Sequence, residues 1–114
     1  MTSIRLMGMT VDSDGDGPPI VMLHGLGGTS NSFQAMVAPL AGFRIVRPDL
    51  PGAGRSPLPV QQLTVRFLVE AVENATVHLG VGRAHIVGHS FGTLIAQHLA
   101  ASRLRTPGAA AASS

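Results

Sequence analysis

The sequence predicts an α/β domain in which a mostly parallel sheet is covered by helices on both faces. Three observations carry that expectation. Short apolar runs recur along the chain at Ile20-Val21-Met22-Leu23, Phe43-Arg44-Ile45-Val46-Arg47 and Ala84-His85-Ile86-Val87. They are continuous rather than alternating, as expected of parallel strands buried on both faces. A helix-like stretch follows each of them, and strand followed by helix, repeated, implies crossover connections within one sheet.

The elements justify themselves in order. Ile4 to Val11 mixes apolar and polar residues and reads as one or two short edge strands. Asp12-Ser13-Asp14-Gly15-Asp16-Gly17-Pro18-Pro19 reads as a loop by composition. It imitates the start of a calcium-binding loop, but Leu23 stands at the twelfth position where a bidentate Glu is needed, so a solvated turn is expected. Ile20 to Leu23 forms a strand ending at His24-Gly25, and Thr29 or Ser30 caps a helix running to about Leu40. Phe43 to Arg47 is the next strand, closed by the turn Pro48-Asp49-Leu50-Pro51-Gly52-Ala53-Gly54-Arg55-Ser56. Within it, Asp49 is expected to brace the turn through side-chain to backbone bonds.

From Leu63 to Leu79 the residues Val65, Leu68, Val69, Val72, Thr76 and Leu79 fall at helical steps, with Arg66, Glu70, Glu73, Asn74 and His78 on the other side. That is an amphipathic helix, ended by Gly80, with one Arg66–Glu70 pair on its surface. Ala84 to Val87 is the third parallel strand and Phe91 to about Ser102 the third helix. Residues 1–105 make one domain. The stretch 106–114, Thr106-Pro107-Gly108 followed by Ala109 to Ser114, is low in complexity and expected to be disordered.

Composition narrows the possible functions. At 114 residues, 45% hydrophobic and 12% charged, the chain suits a compact domain with buried strands. The pI near 11.2 arises because all basic residues are arginine, while the net charge is only +2. The arginines are scattered and aromatic residues are few, so nucleic-acid binding is not expected. Cysteine is absent, which excludes disulfides and thiolate chemistry. The N-terminus has no apolar leader, and a cytoplasmic location is the expectation. Between Arg83 and Arg103 lie 19 residues without Asp, Glu, Lys or Arg, long enough to raise a membrane span. They include His85, His89, Gln97 and His98, and a strand plus a buried helix accounts for them better. No cofactor, metal or membrane partner is expected.

The chemistry concentrates at Gly88-His89-Ser90-Phe91-Gly92, directly after the third strand and before the third helix. G-x-S-x-G at a strand-to-helix junction is a nucleophile elbow, a turn sharp enough to lift a serine hydroxyl clear of the backbone. Ser90 is the candidate catalytic nucleophile; a helix-capping serine is the alternative reading. Attack by a serine creates an oxyanion, which needs preorganised N–H donors. Phe91, the residue after the nucleophile, offers one. The loop His24-Gly25-Leu26-Gly27-Gly28 after the first parallel strand is the expected source of the other.

Taken in order, the His24-Gly25 loop, the Asp49-to-Ser56 turn and the Gly88-to-Gly92 elbow resemble the N-terminal half of the α/β-hydrolase-fold superfamily, from Pro19 to about Ala101. The likeness is to the esterases, lactonases and carbon–carbon bond hydrolases related to 3-oxoadipate enol-lactonase. It implies Leu26 as the second oxyanion donor, with His24 ordering the oxyanion loop and Gly25, Gly88 and Gly92 allowing the close packing. The implied substrate is a small-molecule ester or lactone. A serine rather than an aspartate at the elbow sets the chain apart from haloalkane dehalogenases and epoxide hydrolases, which are similar otherwise.

A Ser-His-Asp system in this family also needs an acid and a histidine after the nucleophile. Only 24 residues follow Ser90, with no Asp or Glu and one histidine, His98. The expectation is a partial fold whose C-terminal strands are missing, the product of a truncated or frame-shifted gene. The strand Ala84 to Val87 would then present an open edge, prone to self-association. A catalytically inactive fragment, or a scaffold pairing through that edge, is the competing reading. A nucleotide-binding domain is disfavoured, because the glycine loop lacks G-x-G-x-x-G spacing and the chain has no lysine.

Overall fold

A computed structural model of the chain describes residues 2–6, 8–101 and 110–113. The strands are β1 (Thr2–Leu6), β2 (Met9–Asp14), β3 (Pro19–Leu23), β4 (Arg44–Pro48), β5 (His85–His89) and β6 (Ala110–Ser113). The helices are α1 (Gln34–Val37), α2 (Val65–His78) and α3 (Phe91–Ala100), and a 3-10 turn over Ser30–Phe33 leads into α1. The six strands form one sheet in the order β1-β2-β4-β3-β5-β6. β4, β3, β5 and β6 run parallel, while β1 and β2 add an antiparallel margin. The expected α/β architecture with a mostly parallel sheet is what the chain adopts.

Alternation along the central strands splits the core in two. Val21, Leu23, Val46 and Ile86 face α2 and α3, where Leu68, Val72, Ile95 and Leu99 complete the larger cluster. Ile20, Met22 and Ile45 face the other way and pack against Phe33 of the 3-10 turn. Helical cover therefore lies on both faces, thick on one and thin on the other. On the thin side, His85 and His89 of β5 are exposed and Val87 is half-buried.

Local chemistry sets the element ends. Thr64 caps α2 by accepting the Phe67 N–H at 3.0 Å. Its C-terminus closes with Gly80 N–H on Val77 O and Val81 N–H on Thr76 O, a Schellman pattern that requires the positive φ of +71° at Gly80. Thr29 begins the 3-10 turn with a reciprocal cap: its hydroxyl accepts from Asn31 N, and Ser32 Oγ accepts from Thr29 N.

Two expectations need correction. β2 continues through Asp12, Ser13 and Asp14, which composition assigned to a loop. The carboxylates are tolerated in a strand because Arg55 pairs with Asp12 and Arg47 with Asp14. The helix expected from Thr29 to Leu40 is instead a 3-10 turn plus one α-helical turn. The stretch 106–114, expected to be disordered, lies outside the described residues except for Ala110–Ser113, which pair in parallel with β5 from Ile86 to His89. Backbone pairing asks nothing of side chains beyond the absence of proline, so an alanine run suffices. Among the described residues the sheet thus ends at β6, not at β5. No helix among the described residues is long and apolar enough to cross a membrane.

Candidate active site

Ser90 links β5 directly to α3 and takes φ +55° and ψ −121°. It is the one non-glycine with positive φ among the described residues. This is the first central conformation of a type II′ turn, where glycine is the ordinary occupant. The hydroxyl makes no capping hydrogen bond to α3, so the helix-cap alternative does not account for the serine. The side chain is exposed.

Two glycines make so abrupt a turn possible. A Cβ on Gly88 would meet the Cα of Thr93 at 2.7 Å, inside the first turn of α3. One on Gly92 would run into the carbonyl oxygens of Leu23 and His24. The first lets the helix fold back over its own strand, and the second lets it settle against the end of β3. Phe91 is the first residue of α3, so its N–H belongs to the helix's opening set without intrahelical acceptors.

Beside the elbow, the loop after β3 turns back on itself through Gly28 N–H on Gly25 O at 3.0 Å. Gly27, at φ +78°, holds the third position, as a type II turn requires. His24 is buried beneath it with both ring nitrogens engaged. Leu50 N–H donates to Nε2 at 2.9 Å, which leaves Nδ1 to carry the proton and donate to Gly25 O at 2.8 Å. His24 therefore ties the loop to the turn after β4 and has no nitrogen left to act as a base.

That turn is organised by Asp49. Its Oδ1 accepts from Ser30 N at 2.7 Å, and its Oδ2 accepts from Arg55 N at 2.9 Å and Arg55 Nε at 2.8 Å. Burial pushes the Asp49 carboxyl up, but the Arg55 side chain and the two backbone N–H groups outweigh it and hold the pKa below the ordinary value. The guanidinium of Arg55 also grips both oxygens of Asp12, at 3.1 and 2.8 Å. Burial raises the Asp12 carboxyl too, yet hydrogen bonds from Arg55, Ser3 and Ser30 bring it down to about 2. Arg55, held by both carboxylates, is raised above its usual value. Arg47 is fully buried nearby, donating to Ser30 O and Gln34 Oε1 at 3.0 Å each and pairing with Asp14 at 3.1 Å.

Over the elbow lies a groove of about 490 Å³ lined by Ser90, His89, the loop Gly25 to Gly28, Ser32, Phe33 and Met36. A volume of that size is typical of small-molecule sites.

With this geometry in place, the similarities to known proteins decide the family. Residues 18–108 match the family model described as the alpha/beta hydrolase fold. The chain belongs to the α/β-hydrolase family. The chain is 39% identical over 87 residues to a magnesium-chelatase 30 kDa subunit of Rhodobacter capsulatus, covering 75% of this chain and 31% of the relative. It is 36% identical over 106 residues to a pimeloyl-[acyl-carrier protein] methyl ester esterase of Methylococcus capsulatus, covering 92% and 39%. A Vigna radiata epoxide hydrolase structure superposes with a TM-score of 0.81 at 29% identity, covering 98% of this chain and 37% of that one. The chain spans about a third of the length of the curated relatives it matches.

The α/β-hydrolase fold brings Ser90, His89 and the Gly25–Gly28 loop to one groove. His78 and His98 are exposed on their helices, away from that role, and His98 Nδ1 donates to Leu94 O at 2.9 Å. Asp49 braces its turn as expected. Sequence reasoning missed Asp12, Ser30 and Arg47 as the frame around that turn, and Phe33 and Met36 as walls of the groove. Asp12 lies 43 residues from Arg55, and no local pattern announces a pair so distant. For Met36 the signal was available: it follows the glycine loop on the helix that the loop feeds.

Proposed function

We propose that this α/β-hydrolase chain carries the nucleophile of a serine hydrolase that cleaves a carboxylic ester or lactone through an acyl-serine intermediate. The observation that supports it is the backbone of Ser90, at φ +55° with no capping bond to its hydroxyl. A side-chain-bearing residue in such a conformation costs on the order of 1–3 kcal/mol and persists where the surroundings enforce it. Gly25, Gly88 and Gly92 supply that enforcement. In this reading Ser90 Oγ adds to the carbonyl carbon and the carbonyl oxygen becomes an oxyanion. The N–H groups of Phe91 and Leu26 receive it. Collapse breaks the carbon–oxygen bond to the leaving alkoxide, and water then adds to the acyl-serine and releases the acid.

The serine proton must pass to a base and on to the leaving oxygen. No Asp or Glu follows Ser90 in this sequence, and His24 is fully committed to Leu50 and Gly25. The serine at the elbow favours ester or lactone cleavage over the chemistry named for the epoxide hydrolase neighbour. A non-catalytic role is the second reading.

Fluorophosphonate labelling of the full chain, followed by intact mass, separates the two. A single adduct is expected, absent in Ser90→Ala. Folded chain that takes up no label would reject the serine-hydrolase reading.

A further inference from the structure

The groove over Ser90 carries information about what the nucleophile meets. Its side-chain walls are apolar: Leu26, 83% exposed, Met36, 41% exposed, and the more deeply set Phe33. Leucine and methionine are ordinarily buried, and two of them standing open beside one serine form a surface that water covers at a cost. Besides Ser90, the polar side chains in the lining are Ser32, whose Oγ accepts the Thr29 N–H at 3.2 Å, and the exposed His89. No Asp, Glu, Lys or Arg lines the groove. Three of the lining residues, Gly25, Gly27 and Gly28, carry no side chain.

We infer that this groove receives an uncharged apolar arm of the ester, with Met36 and Leu26 as the residues that select it. The inference rests on Ser90 being the nucleophile. The apolar side chains reward each methylene removed from water. A charged arm would lose its hydration and find no Asp, Glu, Lys or Arg in the lining to pair with. Methionine suits the wall because its three rotatable bonds adapt to arms of different length. The substrate class is therefore an ester of a medium-length alkyl or acyl chain, rather than a phosphorylated or amino-acid ester.

Two measurements test this and keep it apart from the assignment of Ser90. The first is the rate at which ethyl, butyl and octyl fluorophosphonates label Ser90 in the full chain. A gain of roughly fourfold per methylene is expected until the groove is filled. Met36→Trp, which fills the groove, should cancel the gain, and Met36→Leu should keep it. If the ethyl probe labels Ser90 and the longer probes label no faster, the groove inference is overturned while the nucleophile stands. The second measurement needs no reaction. In Ser90→Ala, the Met36 methyl resonance should shift on titration with methyl octanoate and not with methyl acetate. An unmoved Met36 methyl under methyl octanoate would overturn the inference even if labelling fails throughout, an outcome that would reject Ser90 as the nucleophile.

Discussion

Gly25 and Ser90 meet so closely that a Cβ on the glycine would stand 2.8 Å from the Cβ of the serine. The loop after β3 and the elbow are thus packed backbone against side chain. Gly25→Ala forces one of them to move, since the His89 carbonyl, 3.0 Å from the new methyl, blocks retreat. The expected outcome is a loss of about 1–3 kcal/mol in urea unfolding, typical of overpacking, with slower fluorophosphonate labelling. Unchanged stability and labelling would mean the two loops are less closely packed than described.

Ser90→Gly should act in the opposite direction. Glycine occupies φ +55° without steric cost, so the substitution relieves the turn. A gain of about 1 kcal/mol is expected by urea unfolding, together with complete loss of labelling. Ser90→Ala serves as the control, losing the label without gaining stability.

His24→Leu removes the acceptor for a buried N–H. The Leu50 amide, 2.9 Å from Nε2, would be left without its partner, at a cost of about 1–3 kcal/mol. Hydrogen exchange at the Leu50 amide reads the effect directly, and its protection should fall in the variant. Retained protection would show that another group holds the turn.

The pair of Asp12 and Arg55 makes stability fall in acid. Asp12 has a folded pKa of about 2 against an ordinary value of 3.8, so the folded state favours the ionised form. The contribution is fully present above about pH 4 and is lost as pH falls through about 2. Because the Arg55 side chain is 46% exposed and water screens the pair, the amount is on the order of 1–2 kcal/mol. Urea midpoints measured from pH 5 to pH 2 should fall more steeply for the parent chain than for Asp12→Asn. Parallel slopes would remove the pair from the stability of the fold.

How much of this could be read in the chain depended on distance along it. The elbow was legible because strand, glycine, serine and helix lie within a dozen residues, and the structure joins β5 to α3 through Ser90 as that spacing demands. Helix α2 was legible from its period, with Leu68, Val72 and Thr76 all buried. Asp12 was not. Its neighbours Asp14, Gly15, Asp16 and Gly17 have the composition of a turn, and only Arg55, brought in by the sheet and the glycine-rich turn, makes a buried carboxylate stable there. Position β6 was equally hidden, because alanine carries no signal for a strand.

The register of β3 with β5 has a consequence for how this architecture tolerates change. Leu23 lies opposite Gly88, so the loop that begins at His24 and the elbow that holds Ser90 leave the sheet side by side. Their separation is one interstrand spacing, about 4.8 Å, set by peptide hydrogen bonds that are indifferent to side-chain identity. The sheet works as a ruler whose graduation is a property of the polypeptide itself. Sequences can therefore diverge through the helices around it while the gap between the elbow and the loop after β3 keeps the same length.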